Sequence, residues 1–426
     1  MKTRERRVGT FSVFKGVGRR RYLMLSVCAG IASWLGILEP SQAATWYVWT
    51  NSTANGPGTE WSTAFRDIQS AVDVAVVGDQ VLVRPGTYAT GGRVVPGMAL
   101  TNRVVIDKAI LVGSTDGAQT TIIEGGGGGG PSAIRGVFMT NDARLSGFTI
   151  RLGRTAHSGA EQDQQGGGVF MADTNCLVMD SLIQENSALF GGGVSGGRCE
   201  RCHLTGNSTQ LPSAMMVIAG GGAYQSRLDS CWVENNHSHW LAGGLSGGEA
   251  HDCVFQGNSA TYNAGASSGA KLYSCIVRNN NSASPGAISS GEAYSTLICD
   301  NDTTQNGAVS GALLVNCTVV NNSASDKIGG VYGCTLVNSI VWSNTTRGTW
   351  PTPDYMSCSF SNSCAPLLPL TSGNIDQPPA FSDWTNGEYR LAFDSPCRDA
   401  GTTSFWSVCT TDYEGQPRWF GAAPDM

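Results

Sequence analysis

The chain has 426 residues, 56 of them Gly; 41% are hydrophobic, only 14% are charged, and the formal net charge is -6. This excludes an unfolded chain, which needs high charge and few apolar groups. Gly clustered in runs beside 16 Pro also excludes a collagen-like repeat, in which Gly must recur every third residue.

The N-terminal segment carries Lys2, Arg4, Arg6, Arg7, Lys15, Arg19, Arg20 and Arg21 ahead of an apolar stretch from Tyr22 to Leu38. A stretch of about 17 residues is marginal for a membrane span. Ser41-Gln42-Ala43 follows as a small-x-small cleavage site, so residues 1–43 are expected to be a signal peptide. The protein is then exported, to the extracellular space or to the cell surface or outer membrane; an uncleaved anchor is the weaker reading. Arg19-Arg20-Arg21-Tyr22-Leu23 also fits a twin-arginine pattern, which leaves the export route open. Cys28 lies mid-run behind Val27, and is not read as a lipoprotein site. Without residues 1–43 the balance is 19 basic to 31 acidic side chains, a net charge of -12, with Lys only at 108, 271 and 327. An acidic chain of this kind excludes nucleic acid as a partner and disfavours anionic polysaccharides unless cations or an Arg cluster intervene. No transmembrane span is expected in the mature chain.

Beyond the leader, Ile68, Ala71, Val72 and Ala75 fall at helical spacing and predict a short amphipathic helix. Strands are expected at 81–83, running into Pro85-Gly86-Thr87-Tyr88, and at 104–106, 109–112, 121–123 and 148–150, with 125–130 as a Gly loop. A repeat then takes over. Asn186, Asn207, Asn236, Asn258, Asn280, Asn301, Asn322 and Asn344 are spaced by 21, 29, 22, 22, 21, 21 and 22 residues, the 29 holding one insertion at 209–218. Five residues before each Asn stands Ser181, Cys202, Cys231, Cys253, Cys275, Thr296, Cys317 or Ser339, and three before it a branched or aromatic apolar residue, Ile183 through Val341. About seven after it come Gly193, Gly222, Gly244, Gly265, Gly286, Gly307 and Gly330.

Positions five and three before Asn point to the same side of a short strand. Such a strand buries its face only by stacking on the next unit, which predicts a solenoid. A period of ~22 residues matches the coil of a parallel β-helix, with strands of successive coils about 4.8 Å apart. Asn would form a side-chain ladder, and Gly would supply positive φ or positions with no room for Cβ. An α-solenoid fails because Gly-Gly and Asn-Ser pairs in every repeat break helices. The expected organisation is a leader at 1–43, an N-terminal cap with the first coils at 44–110, the regular solenoid at 111–345, and a C-terminal module at 346–426. The predicted helix would close the open strand edge at the N-terminal end.

Cys202, Cys231, Cys253, Cys275 and Cys317 occupy one column and are expected to be a buried stack rather than disulfides, since one coil separates their Cβ atoms by more than the roughly 3.5–4.5 Å that a disulfide prefers. Cys358 with Cys364, and Cys397 with Cys409, lie off the repeat and are the disulfide candidates. Zinc is not expected, because Cys199-x-x-Cys202 has no second half. His203, His237, His239 and His251 fall close together if coils stack. His203 and Trp232 would share an outer column with Glu234 two residues on, an arrangement suited to a sugar, whose apolar face stacks on indole while polar groups bond its hydroxyls. The candidate ligand-binding residues are therefore His203, Trp232, Glu234, His237 and His239; ordinary turn and surface roles are the competing reading. The outer column continues with Leu182, Val254, Ile276, Leu297 and Ile340, apolar enough that the C-terminal segment or a partner is expected to cover it.

Thr45-Trp46-Tyr47-Val48, Gly78-Asp79-Gln80-Val81-Leu82-Val83 and Pro85-Gly86-Thr87-Tyr88 resemble the entry of secreted bacterial right-handed parallel β-helix proteins of the pectate-lyase-like superfamily. Phe255-Gln256-Gly257-Asn258, Gly221-Gly222-Ala223 and Gly329-Gly330-Val331 resemble the repeats of chlamydial-type polymorphic outer membrane proteins. The tail, with Ser395-Pro396-Cys397-Arg398-Asp399-Ala400-Gly401 and Pro424-Asp425-Met426, is similar to a terminal coil module that often precedes a surface anchor. The resemblance implies an all-β fold, a single-stranded right-handed parallel β-helix of roughly 10–12 coils with an N-terminal capping helix. It carries no catalytic motif over: the Gly-His-Gly and Arg-Ile-Lys elements of polygalacturonases are absent, and Asp180, Asp229 and Asp252 are scattered where a lyase would cluster Asp around calcium.

Two functions follow as expectations. One is a non-catalytic, adhesin-like or carbohydrate-binding surface protein, monomeric, recognising a polysaccharide or a host or cell-surface ligand and needing no cofactor. The other is a polysaccharide lyase or glycoside hydrolase working around His203, Trp232 and Glu234, with Arg201, Arg278 or Lys271 as charge partners and calcium as a conceivable cofactor.

Overall fold

A computed structural model describes residues 43–210, 218–347, 354–404, 410–419 and 421–426. The leader expected at 1–43 thus falls, but for Ala43, outside the described residues. Ala43–Met426 forms one compact unit, wound through three parallel sheets. In one coil, Val194–Ser195 and Arg198–Glu200 belong to sheet I, His203–Thr205 to sheet II and Ser208–Thr209 to sheet III. Each strand pairs in parallel with its counterpart in the next coil: Val194 with Ala223, Cys199 with Leu228, Leu204 with Val233, Ser208 with His237. Among the described residues sheet II has 11 strands, from Gly86–Tyr88 to Ile340–Trp342, and sheet III has eight. This is a parallel β-helix, an all-β solenoid.

The N-terminal end is closed by the helix Ile68–Val74, capped by Asp67, whose side chain accepts the Ser70 N–H at 2.8 Å. Ile68, Ala71 and Val72 are buried with Val48, Val81 and Val104. Lys108 Nζ donates to the carbonyls of Val72 and Ala75 at 2.8 and 2.7 Å, satisfying the helix C-terminus. The Gln69 amide takes the place of a missing strand: its Oε1 accepts the Val105 N–H at 2.7 Å and its Nε2 donates to the Val105 carbonyl at 3.3 Å.

Inside the coil, Ile183, Leu204, Val233, Phe255, Val277, Ile298, Val319 and Val341 stack from sheet II. Next to them the Asn side chains form a continuous chain of hydrogen bonds. Each Nδ2 donates to the Oδ1 of the Asn in the following coil, at 3.0 Å from Asn186 to Asn207, from Asn207 to Asn236, from Asn236 to Asn258, from Asn258 to Asn280 and from Asn280 to Asn301. The next two links, through Asn322 to Asn344, are 2.9 Å, and Asn344 donates in turn to Asp354 Oδ1 at 2.9 Å. Every one of these amides is buried, and each stays paired because neighbours present the same donor and acceptor one coil apart.

The Cys column follows a related logic. The Cys202 N–H donates to Cys231 Sγ at 3.4 Å and the Cys231 N–H to Cys253 Sγ at 3.3 Å, while the Cys275 N–H uses Thr296 Oγ1 at 3.3 Å and the Cys317 N–H uses Ser339 Oγ at 3.1 Å. A thiol and a hydroxyl do the same work there, which is why Cys, Thr and Ser interchange. The Gly columns need one correction. Backbone pairing sets Leu245 opposite Ser267 and Ser267 opposite Ile288, so Gly244 continues into Ala266 and Ala287, and Gly265, Gly286 and Gly307 lie one residue earlier. The column therefore alternates between Gly and Ala, the two smallest residues, as Gly244, Ala266, Ala287, Ala308 and Gly330, each just before the residue that resumes sheet I. At Gly222 a Cβ would meet the Gly244 carbonyl oxygen at 2.8 Å, whereas Gly220, two residues earlier, sits at φ +71°.

The C-terminal segment folds back over the outer face of sheet II. Tyr389, Phe381 and Tyr413 cover Leu297, Cys299 and Val320, and Cys397 and Met426 cover Ile340. Part of the apolar outer column thus has its cover within the chain. The segment is tied to the solenoid by Ser295 Oγ to the Thr411 carbonyl at 2.8 Å and by Asn338, which exchanges bonds of 2.7 and 2.8 Å with the Thr402 backbone.

This geometry overturns the pairing of Cys358 with Cys364. Cys358 packs on the inner core, where its Sγ accepts the Cys334 N–H at 3.3 Å. Cys364 follows Ile340 in the outer column and meets Cys397. The two cysteines lie on opposite sides of one wall. Cys409, the expected partner of Cys397, lies outside the described residues.

Candidate functional site

Strands Leu182–Gln184, His203–Thr205, Trp232–Glu234, Val254–Gln256 and Ile276–Arg278 present two outward columns on sheet II. Their register puts His203 beside Trp232 and Trp232 beside Val254 in one column, and Thr205, Glu234, Gln256 and Arg278 in the other. The first is apolar and aromatic, the second polar. His203 Nε2 lies 2.9 Å from Glu234 Oε1, a diagonal bond across the two coils, and Arg278 Nε donates to Gln256 Oε1 at 2.8 Å.

The turn entering sheet II adds a second charged pair. Arg201, at φ +51°, donates from Nε and Nη2 to the two oxygens of Asp180 at 2.8 and 3.0 Å and also meets Glu200. Positive φ recurs at this turn in Asp180, Ser230, Asp252 and Ser274, small or acidic residues that tolerate it; Arg201 is held there by its bidentate partner. Between these pairs lies an open groove of about 490 Å³ lined by Gln119, Asp180, Leu182, Arg201, His203 and Trp232. Trp232 leaves 45% of its surface exposed. Ala118 and Gln119 border the groove on the N-terminal side, and toward the C-terminus the outer column runs under the C-terminal cover at Leu297.

His203, Trp232 and Glu234 are therefore brought together, and His237 and His239 are not. His237 is on sheet III, its Nδ1 2.9 Å from Ser259 Oγ, and His239 Nδ1 lies 3.0 Å from the Thr209 carbonyl. Their rings meet edge to face at 4.8 Å, and burial followed by the neighbouring His239 pushes the His237 imidazole below its ordinary value. Neither ring lines the groove.

Sequence reasoning also missed a set of residues on the outer face of sheet I. Arg198, Arg227, Glu249, Lys271 and Glu292 form one column, and Glu200, Asp229, His251, Tyr273 and Tyr294 the next. His251 stacks on Tyr273 at 4.5 Å and 12°, and Tyr273 on Tyr294 at 5.1 Å and 5°. Burial alone would raise the Asp229 carboxyl, but hydrogen bonds from Arg227 and Arg198 outweigh it and hold the group below the usual carboxylate range. The available signal was a charged residue, one intervening residue and a polar or aromatic one just before each Cys-column position. Asp180 and Asp229 are thus committed to Arg partners, and among the described residues no group of three or more His, Cys, Asp or Glu stands close enough to hold a metal ion.

No family model matches the chain, and no curated protein matches it. Among solved structures it is similar to pectate lyase Pel9A, with a TM-score of 0.45 and 11% identity over 90% of this chain and 96% of that one. It is also similar to a rhamnogalacturonan lyase, with a TM-score of 0.35 and 14% identity over 75% and 87% of the two chains. A third is the A-module of the mannuronan C-5 epimerase AlgE4 of Azotobacter vinelandii, at TM-score 0.36 and 14% identity over 74% and 97%. No helix among the described residues is long and apolar enough to cross a membrane.

Proposed function

We propose that the chain is an exported, non-catalytic β-helix protein that binds polysaccharide along the outer face of sheet II, at a cell surface or outside the cell. The observation that carries this is Trp232, half exposed between the His203–Glu234 and Arg201–Asp180 pairs in an open groove. A sugar ring stacks its apolar face on the indole while Gln119, His203 and Glu234 bond its hydroxyls. The column continues along the coil axis through Val254 and Ile276, an elongated track that suits a polymer. Asp180 in the groove and Glu234 beside His203, with the acidic charge of the chain, favour a neutral polymer over an anionic one. Glu234 is engaged by His203 and Asp180 by Arg201, so the groove offers no pair of free carboxylates of the kind glycoside hydrolysis uses.

A catalytic reading has its own observation, on the other face: His251 stacked on Tyr273, with Arg227 and Lys271 in the adjoining column. An imidazole or phenol base beside cations would suit a polysaccharide lyase. The two readings separate in one screen of the full chain, Trp232→Ala and His251→Ala against neutral and acidic polysaccharides. Binding, new reducing ends and unsaturated-product absorbance are followed with and without calcium. Binding without turnover, weakened at least ~10-fold (about 1.4 kcal/mol) by Trp232→Ala, is expected. Turnover abolished by His251→Ala would overturn the non-catalytic reading.

A further inference from the structure

Where the C-terminal segment packs on the outer face of sheet II, two thiols share one buried cluster. Cys364 belongs to the solenoid: its N–H donates to the Ser339 carbonyl at 2.9 Å, and its carbonyl accepts the Val341 N–H at 2.8 Å. Cys397 belongs to the covering segment: its N–H donates to Ser395 Oγ at 3.1 Å, and its carbonyl accepts the Met426 N–H at 3.0 Å. Both are fully buried, in one small cluster with Ile340 and Met426, 33 residues apart in sequence. We propose that Cys364 and Cys397 are a disulfide site that clamps the C-terminal segment to the outer face of the solenoid.

The other thiol contacts of the described chain argue for this pair by contrast. Cys202 with Cys199 and Cys231, Cys253 with Cys231 and Cys275, and Cys334 with Cys358 all lie inside the coil. Those one coil apart are spaced by the strand repeat of about 4.8 Å, longer than the Cβ separation a disulfide prefers, and several of their sulfurs already accept backbone N–H groups. Cys364 and Cys397 obey no such spacing, because one comes from the wall and the other from a segment that packs on it. They are open to an oxidant until that segment docks. A hydrogen bond to Cys397, then burial, pushes the Cys364 thiol up once the segment is down, so exchange belongs to the docking stage.

The chemistry is thiol–disulfide exchange. A disulfide oxidant of the glutathione or dithiol-oxidoreductase class, R–S–S–R, is attacked by one cysteine thiolate and releases R–S⁻. The second cysteine then attacks the mixed disulfide and releases the other R–S⁻, and the two protons lost by the cysteines go to the two R–S⁻. Two thiols are oxidised and one external disulfide is reduced.

The test is peptide mapping of the full chain after equilibration with reduced and oxidised glutathione. Free thiols are alkylated in denaturant before tryptic digestion. Cleavage after Arg347, Arg390, Arg398 and Arg418 places Cys397 in peptide 391–398, Cys358 and Cys364 in 348–390, and Cys409 in 399–418. The expected result is 391–398 joined to 348–390, unchanged in Cys358→Ser and lost in Cys364→Ser. Recovery of 391–398 alkylated, its linkage to 399–418, or its loss from the linked product in Cys358→Ser would overturn the proposal. Hydrogen exchange of residues 379–404 in the wild-type chain is the second readout and needs no variant: reductant should speed it at least tenfold relative to the coils at 231–280, and equal rates would count against a clamp.

Discussion

Replacing Asn258 by Ala removes one rung of the ladder and leaves its neighbours in place. The Asn258 amide makes four buried bonds: Nδ2 donates to Asn280 Oδ1 at 3.0 Å and to the Val233 carbonyl at 2.7 Å, and Oδ1 accepts the Asn236 N–H and Nδ2 at 3.1 and 3.0 Å. Asn280 Oδ1 keeps the Asn258 N–H, and Asn236 Nδ2 keeps the Leu204 carbonyl. The Asn236 N–H is left buried with no acceptor. At ~1 kcal/mol net for each bond, the loss is about 4 kcal/mol, or ~10³-fold in the opening equilibrium of that coil. Solenoids need not unfold in one step, so native-state hydrogen exchange of the coil from Cys231 to Ala260 is the proper assay. Asn281→Ala, at an exposed sheet III position in the next coil, is the control and should change exchange less than threefold. If Asn258→Ala exchanges no faster than that control, the ladder contributes nothing, and the reasoning is refuted.

Other consequences follow from the same contacts. The ladder ends on Asp354, whose carboxyl is pushed up by burial against the pull of its bonds to Asn344. A carboxyl raised in the folded state costs stability as pH climbs past its unfolded value. Asp354→Asn should therefore raise the melting temperature at pH 7 and leave it unchanged near pH 3, as a pair of thermal scans would show. Asp229 has the opposite sign: its support is present at neutral pH and is lost as pH falls through its lowered value, so Asp229→Asn should cost stability at pH 7 and nothing in strong acid. Gly222→Val forces side-chain atoms onto the Gly244 carbonyl and should lower stability by roughly 2 kcal/mol or more, read from a urea midpoint.

What the sequence disclosed, and what it withheld, follows from which interactions repeat. Asn186 through Asn344 and the apolar column from Ile183 meet the same neighbour in every coil, so each carries the same residue type and a period of 21 or 22 is visible. Outer faces repeat less, and their grouping depends on turns. His203, His237 and His251 fall within 49 residues yet stand on sheets II, III and I, because the intervening turns, with left-handed residues at Ser230, Asn235 and Ala242, swing the chain from one face to the next. Cys358 and Cys364 are six residues apart, and a single left-handed turn at Asn362 helps place one inside and the other outside. The sheet I group around His251 and Tyr273 was missed because its members two residues apart, such as Glu249 with His251 and Lys271 with Tyr273, form a site only when the coils stack. Its charges come from coils that meet only when stacked.

Polysaccharide bound to this chain should lie on sheet II over Trp232. The most direct measurement is a crystal structure of the full chain with an oligosaccharide from whichever polymer binds. Sugar density is expected stacked on the Trp232 indole, within reach of His203 and Glu234 and extending along the column toward Val254. Density over His251 and Tyr273 on sheet I, with the sheet II groove empty, would contradict it.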